Sequence, residues 1–340
     1  MATATSREWR LAARPAGEPK LSDFEIAEVA VPEPAEGEIQ VRNLWMTVDP
    51  YMRGRMNDVK SYTPPFQIGQ PLTGGAIGEV TASAHPRFQA GDLVSSMAGW
   101  REGFTARPES LGVTLLPASS MPPQAFLGVL GMPGLTAYAG LLRIGNPKRG
   151  ETVFVSGAAG AVGSLVAQIA KLKGCTVVAS AGGSDKCTWL KSLGVDEVID
   201  YKAVGGGQGL TEALRRAAPN GIDVYFDNVG GDHLTAAIDV ANLHARMPIC
   251  GMISIYNNTR PAPGPHNMAM IIGKRLKIQG LLVSDHADMQ TDFISDMTDW
   301  IGLGRVRYEE TVFEGVEKAP EAFLALFSGG NIGKMLVKLA

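Results

Sequence analysis

A run of three glycines held between a strand and a helix constrains this chain more than any other feature. Thr152-Val153-Phe154-Val155-Ser156 is a short β-branched run, and Gly157-Ala158-Ala159-Gly160-Ala161-Val162-Gly163 follows it directly. Val162, Leu165, Val166, Ile169 and Leu172 then recur at the spacing of a core-facing helix, and 176–180 reads as a second buried strand. In that strand–turn–helix setting the glycines have a physical purpose. Gly160 lets the backbone approach a pyrophosphate and Gly163 lets helix and strand pack closely. The helix start presents free N–H groups and the positive end of its dipole. Ala158 takes the first glycine position of the usual G-x-G-x-x-G, so the fingerprint is a variant.

The choice between dinucleotides rests on the end of the second strand. A site for NAD places Asp or Glu about 20 residues past the fingerprint, where a carboxylate binds both ribose hydroxyls. Ser180 is read into that place, followed by Ala181-Gly182-Gly183-Ser184-Asp185-Lys186. A carboxylate would repel a 2′-phosphate, whereas a small polar residue, a glycine pair and a lysine would accept it. The expected cofactor is therefore NADPH, with Lys186 as the phosphate's cation and Tyr201 as a hydroxyl donor.

Around this unit the chain of 340 residues divides in texture. Residues 1–124 read as short strands broken by turns, including 38–42, 74–80 and 91–94, with Pro32, Pro34, Pro64, Pro65, Pro71 and Pro86 opposing long helices. From 125 to 304, apolar runs alternate with helical patterns, the signature of βαβ units on a parallel sheet. Further strands fall at 223–227, 247–250 and 276–280, with Pro248 awkward near a strand start. Residues 305–340 give a helix, a Gly329-Gly330 turn and a last strand that return to the first domain. Gly205-Gly206-Gly207-Gln208-Gly209 reads as a flexible surface loop.

Composition narrows the function. Lys and Arg total 31 against 34 Asp and Glu, a net charge of −3, so nothing drives general nucleic-acid or acidic-membrane binding. No apolar stretch reaches about 18 residues, so no membrane span is expected. The amino-terminal residues carry charge where a signal peptide needs an apolar run. Cys175, Cys187 and Cys250 form no CxxC pair, and the five histidines no HExxH. Neither a disulfide framework nor a metal site is expected, and a reducing, cytoplasmic setting follows.

Further stretches carry a resemblance. Val48-Asp49-Pro50-Tyr51-Met52-Arg53-Gly54-Arg55-Met56, Tyr225-Phe226-Asp227-Asn228-Val229-Gly230-Gly231 and Cys250-Gly251-Met252-Ile253-Ser254-Ile255-Tyr256-Asn257 occur in order. Gly280-Leu281-Leu282-Val283-Ser284-Asp285 and Gly330-Asn331-Ile332-Gly333-Lys334 complete the set. Together they resemble the zinc-independent medium-chain dehydrogenases/reductases, in the branch of NADPH-dependent enone and alkenal double-bond reductases. The resemblance implies an α/β protein: a GroES-like β-rich substrate domain built from both chain ends around a Rossmann doubly wound domain, with the active site between them. It implies cofactor contacts at Gly160, Ala161, Val162, Gly163, Lys186, Tyr201 and Asn228. It adds Cys250, Gly251, Ile253, Ser254, Tyr256, Leu281, Leu282, Val283 and Asn331. Relatives are commonly homodimers that extend the Rossmann sheet. The zinc-dependent branch carries Cys and His ligands in the first domain. Here the matching stretch reads Thr73-Gly74-Gly75-Ala76-Ile77-Gly78, with no cysteine before 175.

Conjugate reduction suits a site without a metal. Hydride attack on the β-carbon of an unsaturated ketone or aldehyde leaves negative charge on the carbonyl oxygen, where a hydrogen-bond donor lowers the barrier. A tyrosine of pKa about 10 is protonated at neutral pH, and Tyr256 is the candidate catalytic donor. Asn331 is the candidate for holding the carboxamide. Tyr51 and Met52 are candidates for substrate contact, with Arg53 as a structural ion-pair partner. The proline-rich 257–265 reads as a loop over the pocket, followed by a solvated His266. Two other readings fit the same residues: an NADPH:quinone reductase, and a non-catalytic dinucleotide-binding protein with structural or RNA-binding duties.

Overall fold

Strands in the computed structural model, which describes residues 4–340, number fifteen in chain order. They are β1 (Ala4–Leu11), β2 (Phe24–Val31), β3 (Ile39–Thr47), β4 (Ala76–Ser83), β5 (Leu93–Ser96), β6 (Gly103–Ala106), β7 (Thr114–Leu115) and β8 (Thr152–Val155). Then follow β9 (Thr176–Ala181), β10 (Glu197–Asp200), β11 (Ile222–Phe226), β12 (Ala241–Ile249), β13 (Lys277–Gly280), β14 (Glu310–Glu314) and β15 (Lys334–Lys338). They belong to two units. One comprises residues up to Leu127 with Glu310–Gly330 and Met335–Ala340; the other comprises Gly128–Glu309 and Asn331–Lys334.

The first unit is β-rich. β1 and β2 form an antiparallel ribbon, and β14-β15-β3-β4-β5-β7 form a sheet to which β6 adds by pairing with β3. Proline punctuation has the expected effect: before residue 128 the longest α-helix is α1 (Met52–Arg55). The chain's far end enters this unit because β15 pairs antiparallel with β3, Leu336 opposite Thr47 and Val337 opposite Met46. Its core centres on stacked Phe24 and Trp100 rings, 5.9 Å apart, with Phe323 edge-on to Trp100 at 6.0 Å.

The second unit holds a six-stranded, wholly parallel sheet in the order β10-β9-β8-β11-β12-β13. This is the doubly wound order, and its direction reverses between β8 and β11. Ligands of such sheets bind in the crevice beyond the strand ends at that switch point. Helices α2 (Met132–Ala139), α3 (Gly163–Leu172), α4 (Ser184–Ser192), α5 (Gly207–Ala217), α6 (Gly231–Val240), α7 (Met270–Lys274) and α8 (Gln290–Gly302) lie in this unit, while α9 (Ala319–Ser328) belongs to the first. A parallel sheet must bury both faces. Accordingly Phe154, Val178 and Tyr225 are fully buried, Phe154 and Tyr225 stacked at 5.1 Å.

Several details depart from the sequence reading. The units divide after Leu127 and after Glu309, not after 124 and 304, and Asn331–Lys334 sits with the sheet-bearing unit. Side chain–backbone bonds explain the second shift: Gln168 of α3 donates to the Arg307 carbonyl at 2.8 Å and accepts from the Arg307 N–H at 2.8 Å. Gly333 N–H reaches the Ala159 carbonyl at 2.8 Å, which holds Asn331–Lys334 beside the glycine loop. Pro248 lies one residue before the end of β12, not near its start, and is paired in register with Gln279 of β13. Gly207 and Gly209 open helix α5 and are not loop, because the Asp232 carboxylate accepts the Gly207 N–H at 2.8 Å. No helix among the described residues is long and apolar enough to cross a membrane.

Candidate functional site

The glycine loop occupies the end of β8. A Cβ on Gly163 would stand 2.6 Å from the Gly157 carbonyl oxygen and 2.7 Å from the Ala158 Cα, so only glycine lets α3 start this close to the loop. Gly160 differs. A Cβ there would meet nothing nearer than the Gly157 carbonyl oxygen at 3.4 Å, an ordinary contact. The protein does not itself require glycine at 160, but a phosphate drawn against that backbone would. Ala161 and Val162 are half-buried beside it, before the first turn of α3.

Across the switch point stands the loop after β11. A Cβ on Gly157 would lie 3.3 Å from the Asn228 Cβ, so the two loops face each other. Asn228 is pinned there by its amide, which donates to the Ser156 carbonyl at 2.8 Å. Asp227, fully buried, organises the rest. Its Oδ1 accepts from the Tyr225 hydroxyl (2.7 Å), the Ser156 hydroxyl (3.2 Å) and the N–H groups of Val229 (2.8 Å) and Gly230 (2.7 Å). Its backbone carbonyl accepts the N–H groups of Cys250 and Gly251, at 2.8 and 3.0 Å. One residue thus ties together the ends of β8, β11 and β12. Burial pushes the Asp227 carboxyl above its usual range, and burial followed by the nearby Asp227 charge raises the Cys250 thiol to about 12. The sequence reading passed over both Asp227 and Ser156. The available signal was an acid ending an apolar strand just before two glycines.

The segment after β12 is bound to the same loop. Ile253 N–H and Ser254 N–H donate to the Asn228 and Val229 carbonyls, and the Ser254 hydroxyl reaches the Val229 carbonyl at 2.6 Å. The turn then brings the Tyr256 side chain back, so that its hydroxyl accepts the Met252 N–H at 3.2 Å. A Cβ on Gly251 would stand 3.1 Å from that hydroxyl. Leu281 follows β13, donates its N–H to the Ile249 carbonyl at 2.9 Å, and is half-buried together with Leu282 and Val283. Asn331 donates to the Gly333 carbonyl at 2.8 Å, and Gly333 bridges to Gly160. Gly160, Asn228, Tyr256, Leu281 and Asn331 therefore converge on the ends of the central strands.

At the end of β9 the structure corrects the reading. Ser180 is fully buried within the strand and its hydroxyl has no hydrogen-bond partner, so it cannot meet a ribose. Gly182 stands at the strand's exit. A Cβ there would lie 2.8 Å from the Lys202 Cε and 3.0 Å from the Tyr201 hydroxyl oxygen. Lys186 sits in the first turn of α4, half-buried, its pKa lowered by burial and then by the Lys202 charge. Tyr201 packs edge-on against His233, ring centroids 5.2 Å apart. Its phenol is raised by burial and by Asp200.

In the first unit, Tyr51 is half-buried, its phenol pushed well up by burial and by Asp49 despite a hydrogen bond from Arg55. Met52 is 1 % exposed and packs in the core, where a Cβ on Gly74 would fall 2.5 Å from its Cε. It lines no surface, which corrects its assignment to substrate contact. Arg53 is also buried, and its guanidinium donates to the Asn57 side chain and the Gly17 carbonyl, both at 2.8 Å.

These residues fit a phosphorylated dinucleotide: a close-approach glycine, a lysine and tyrosine beside an uncharged strand exit, and an amide near each end of the loop cluster. They do not fit a metal. Among the described residues no three His, Cys, Asp or Glu side chains are grouped to hold one.

Fold and loops together define a Rossmann-type dinucleotide-binding protein. Residues 7–113 match the family described as the N-terminal domain of oxidoreductase, and 161–299 match zinc-binding dehydrogenase. The chain is 41% identical over 341 residues to the NADPH-dependent curcumin reductase of Escherichia coli, covering 98% of this chain and 97% of that protein. It is 44% identical over 330 residues to the NADP(+)-dependent 2-alkenal reductase of Nicotiana tabacum, covering 95% and 94%. Among solved structures, CurA from Vibrio vulnificus in complex with NADPH superposes with a TM-score of 0.92 at 42% identity, over 98% and 99% of the two chains. The chain belongs to the medium-chain dehydrogenase/reductase family, in its enone reductase branch.

Proposed function

We propose that this protein is an NADPH-dependent oxidoreductase that reduces the carbon–carbon double bond of α,β-unsaturated ketones and aldehydes. NADPH, when bound, supplies the hydride that the β-carbon receives. The chain's own residues do the rest. Lys186 and Tyr201 take the 2′-phosphate, and Gly160 to Gly163 take the pyrophosphate at the start of α3. Asn228 and Asn331 orient the nicotinamide end by their amides. Cys250, Gly251, Ile253, Ser254 and Leu281 to Val283 wall that end and exclude water. Tyr256 donates its hydroxyl hydrogen bond to the carbonyl oxygen as negative charge gathers there. Tyr51 contacts substrate with its ring. The reaction runs without zinc.

The observation that carries this reading is the Asp227-centred junction, which sets the Tyr256 hydroxyl beside Gly251 and Met252 at the same strand ends as Asn228 and the glycine loop. Polar groups aimed at a developing oxyanion are the part of the chemistry a protein must supply here. Strand β13, an edge strand with Lys277, Gln279 and Gly280 exposed, supports a homodimer that pairs two sheets edge to edge. Three free cysteines among the described residues suit a reducing cytoplasm.

The test is NADPH consumption by purified protein over a panel of enones, alkenals and quinones, with product analysis. Saturated ketone or aldehyde is expected. Turnover confined to quinones, yielding hydroquinone, would replace this reading, and no turnover would remove it. Sedimentation velocity tests the dimer.

A further inference from the structure

We infer that Lys202 is a second cation for the 2′-phosphate of NADPH, acting with Lys186, and that the pair sets the preference over NADH. The clue is the crowding at Gly182. Lys202 Cε and the Tyr201 hydroxyl both stand within 3.0 Å of where a side chain at that exit would begin. Where NAD-specific sheets carry a carboxylate, this chain lays a lysine stem and a phenol across bare backbone.

The charges around it point the same way. Lys186 and Lys202 are close enough for the charge of the second to disfavour protonation of the first, yet neither makes an ion pair among the described residues. Two neighbouring ammonium groups repel one another, and an anion between them relieves that repulsion. Asp200 and Asp185 are the neighbouring acids. Asp200 Oδ1 accepts the N–H groups of Gly183 and Lys202, both at 3.1 Å, so it fastens the two loops together. Asp185 accepts from the Ser184 hydroxyl on the exposed first turn of α4. The lysine pair is left as the site's positive face, Tyr201 adding a neutral donor.

This assignment rests on the NADPH reading and is tested apart from turnover. Adenosine 2′,5′-bisphosphate and adenosine 5′-monophosphate are titrated calorimetrically into the wild-type chain and into Lys202→Ala and Lys202→Arg variants. Lys202 is exposed, so both variants should fold. Lys202→Ala should raise the Kd for the bisphosphate about tenfold, as for one lost charge-assisted bond, and leave the monophosphate's Kd unchanged. Lys202→Arg should restore bisphosphate binding. An unchanged Kd for the bisphosphate, or an equal rise for both nucleotides, would overturn the role of Lys202 while leaving NADPH as the cofactor. A wild type that binds both nucleotides equally would overturn the NADPH reading and this assignment with it.

Discussion

Asp227 Oδ1 and the Tyr225 hydroxyl, two residues apart on one face at the end of β11, share a 2.7 Å hydrogen bond from which solvent is excluded. The pair sits beneath the candidate site. Tyr225 brings a donor up from the core, and Asp227 spends the same oxygen on the Ser156 hydroxyl and two loop N–H groups. Its second oxygen, Oδ2, is buried without a partner.

Removing that oxygen has a defined cost. Asp227→Ala would take the Oδ1 acceptor from the Tyr225 and Ser156 hydroxyls and from the Val229 and Gly230 N–H groups, and the expected loss is about 3 kcal/mol of stability. Asp227→Asn keeps one acceptor and should cost less. Urea unfolding of the two variants measures the difference; equal midpoints for Asp227→Ala and wild type would contradict the role of the junction.

His233 makes stability depend on acid. Burial lowers its pKa from 6.5 to about 4. The unfolded chain therefore binds a proton that the folded chain refuses between those values. Stability from this group is complete above 6.5 and is lost as pH falls towards 4, in all about 3 kcal/mol. His233→Phe, which can pack on Phe154 and Tyr201, should flatten that part of the stability–pH curve. A variant with the wild-type slope between pH 6.5 and 4 would show that another group is responsible.

Gly163→Ala tests the close approach of helix and loop. Its Cβ would enter at 2.6 Å from a backbone oxygen that has no flexible end to move aside. The expected outcome is a loss of about 2 kcal/mol and a weakened affinity for NADPH, read by unfolding and by nucleotide fluorescence. Gly160→Ala should instead keep wild-type stability and lose NADPH affinity, since only a ligand contends for that space.

Lys186→Ala should raise the KM for NADPH about tenfold, the value of one hydrogen bond to a charged group, while the KM for NADH stays put. Steady-state kinetics with each nucleotide decides it, and equal effects would take the 2′-phosphate away from Lys186.

Much of this architecture is legible in the amino-acid sequence, and the departures share a cause. The β8–glycine–α3 unit is legible because its period and its punctuation are local. That Lys186 and Tyr201 stand at the exit of β9 is legible because charge logic at a strand exit needs only approximate register. Ser180 misleads by two residues: the strand runs on to Ala181, and that slip buries the side chain. Met52 misleads because a turn such as Asp49-Pro50 fixes chain direction but not which side chain faces inward. The start of α5 hides for another reason. The Gly207 N–H is capped by a carboxylate 25 residues away, which no local pattern of capping residues reveals. Asp227 is of the same kind, since its partners come from three strands.

The most direct measurement follows the hydride itself. Protein is given NADPH doubly deuterated at C4 of the nicotinamide with a simple aryl enone, in parallel for wild type and Tyr256→Phe, and the product is examined by NMR. Deuterium on the β-carbon of a saturated ketone is expected. Tyr256→Phe should form the same product with kcat lower by about a hundredfold and NADPH affinity nearly intact. Deuterium at the carbinol carbon of an allylic alcohol, or unlabelled product, would contradict conjugate reduction; undiminished turnover by Tyr256→Phe would contradict the tyrosine's part in it.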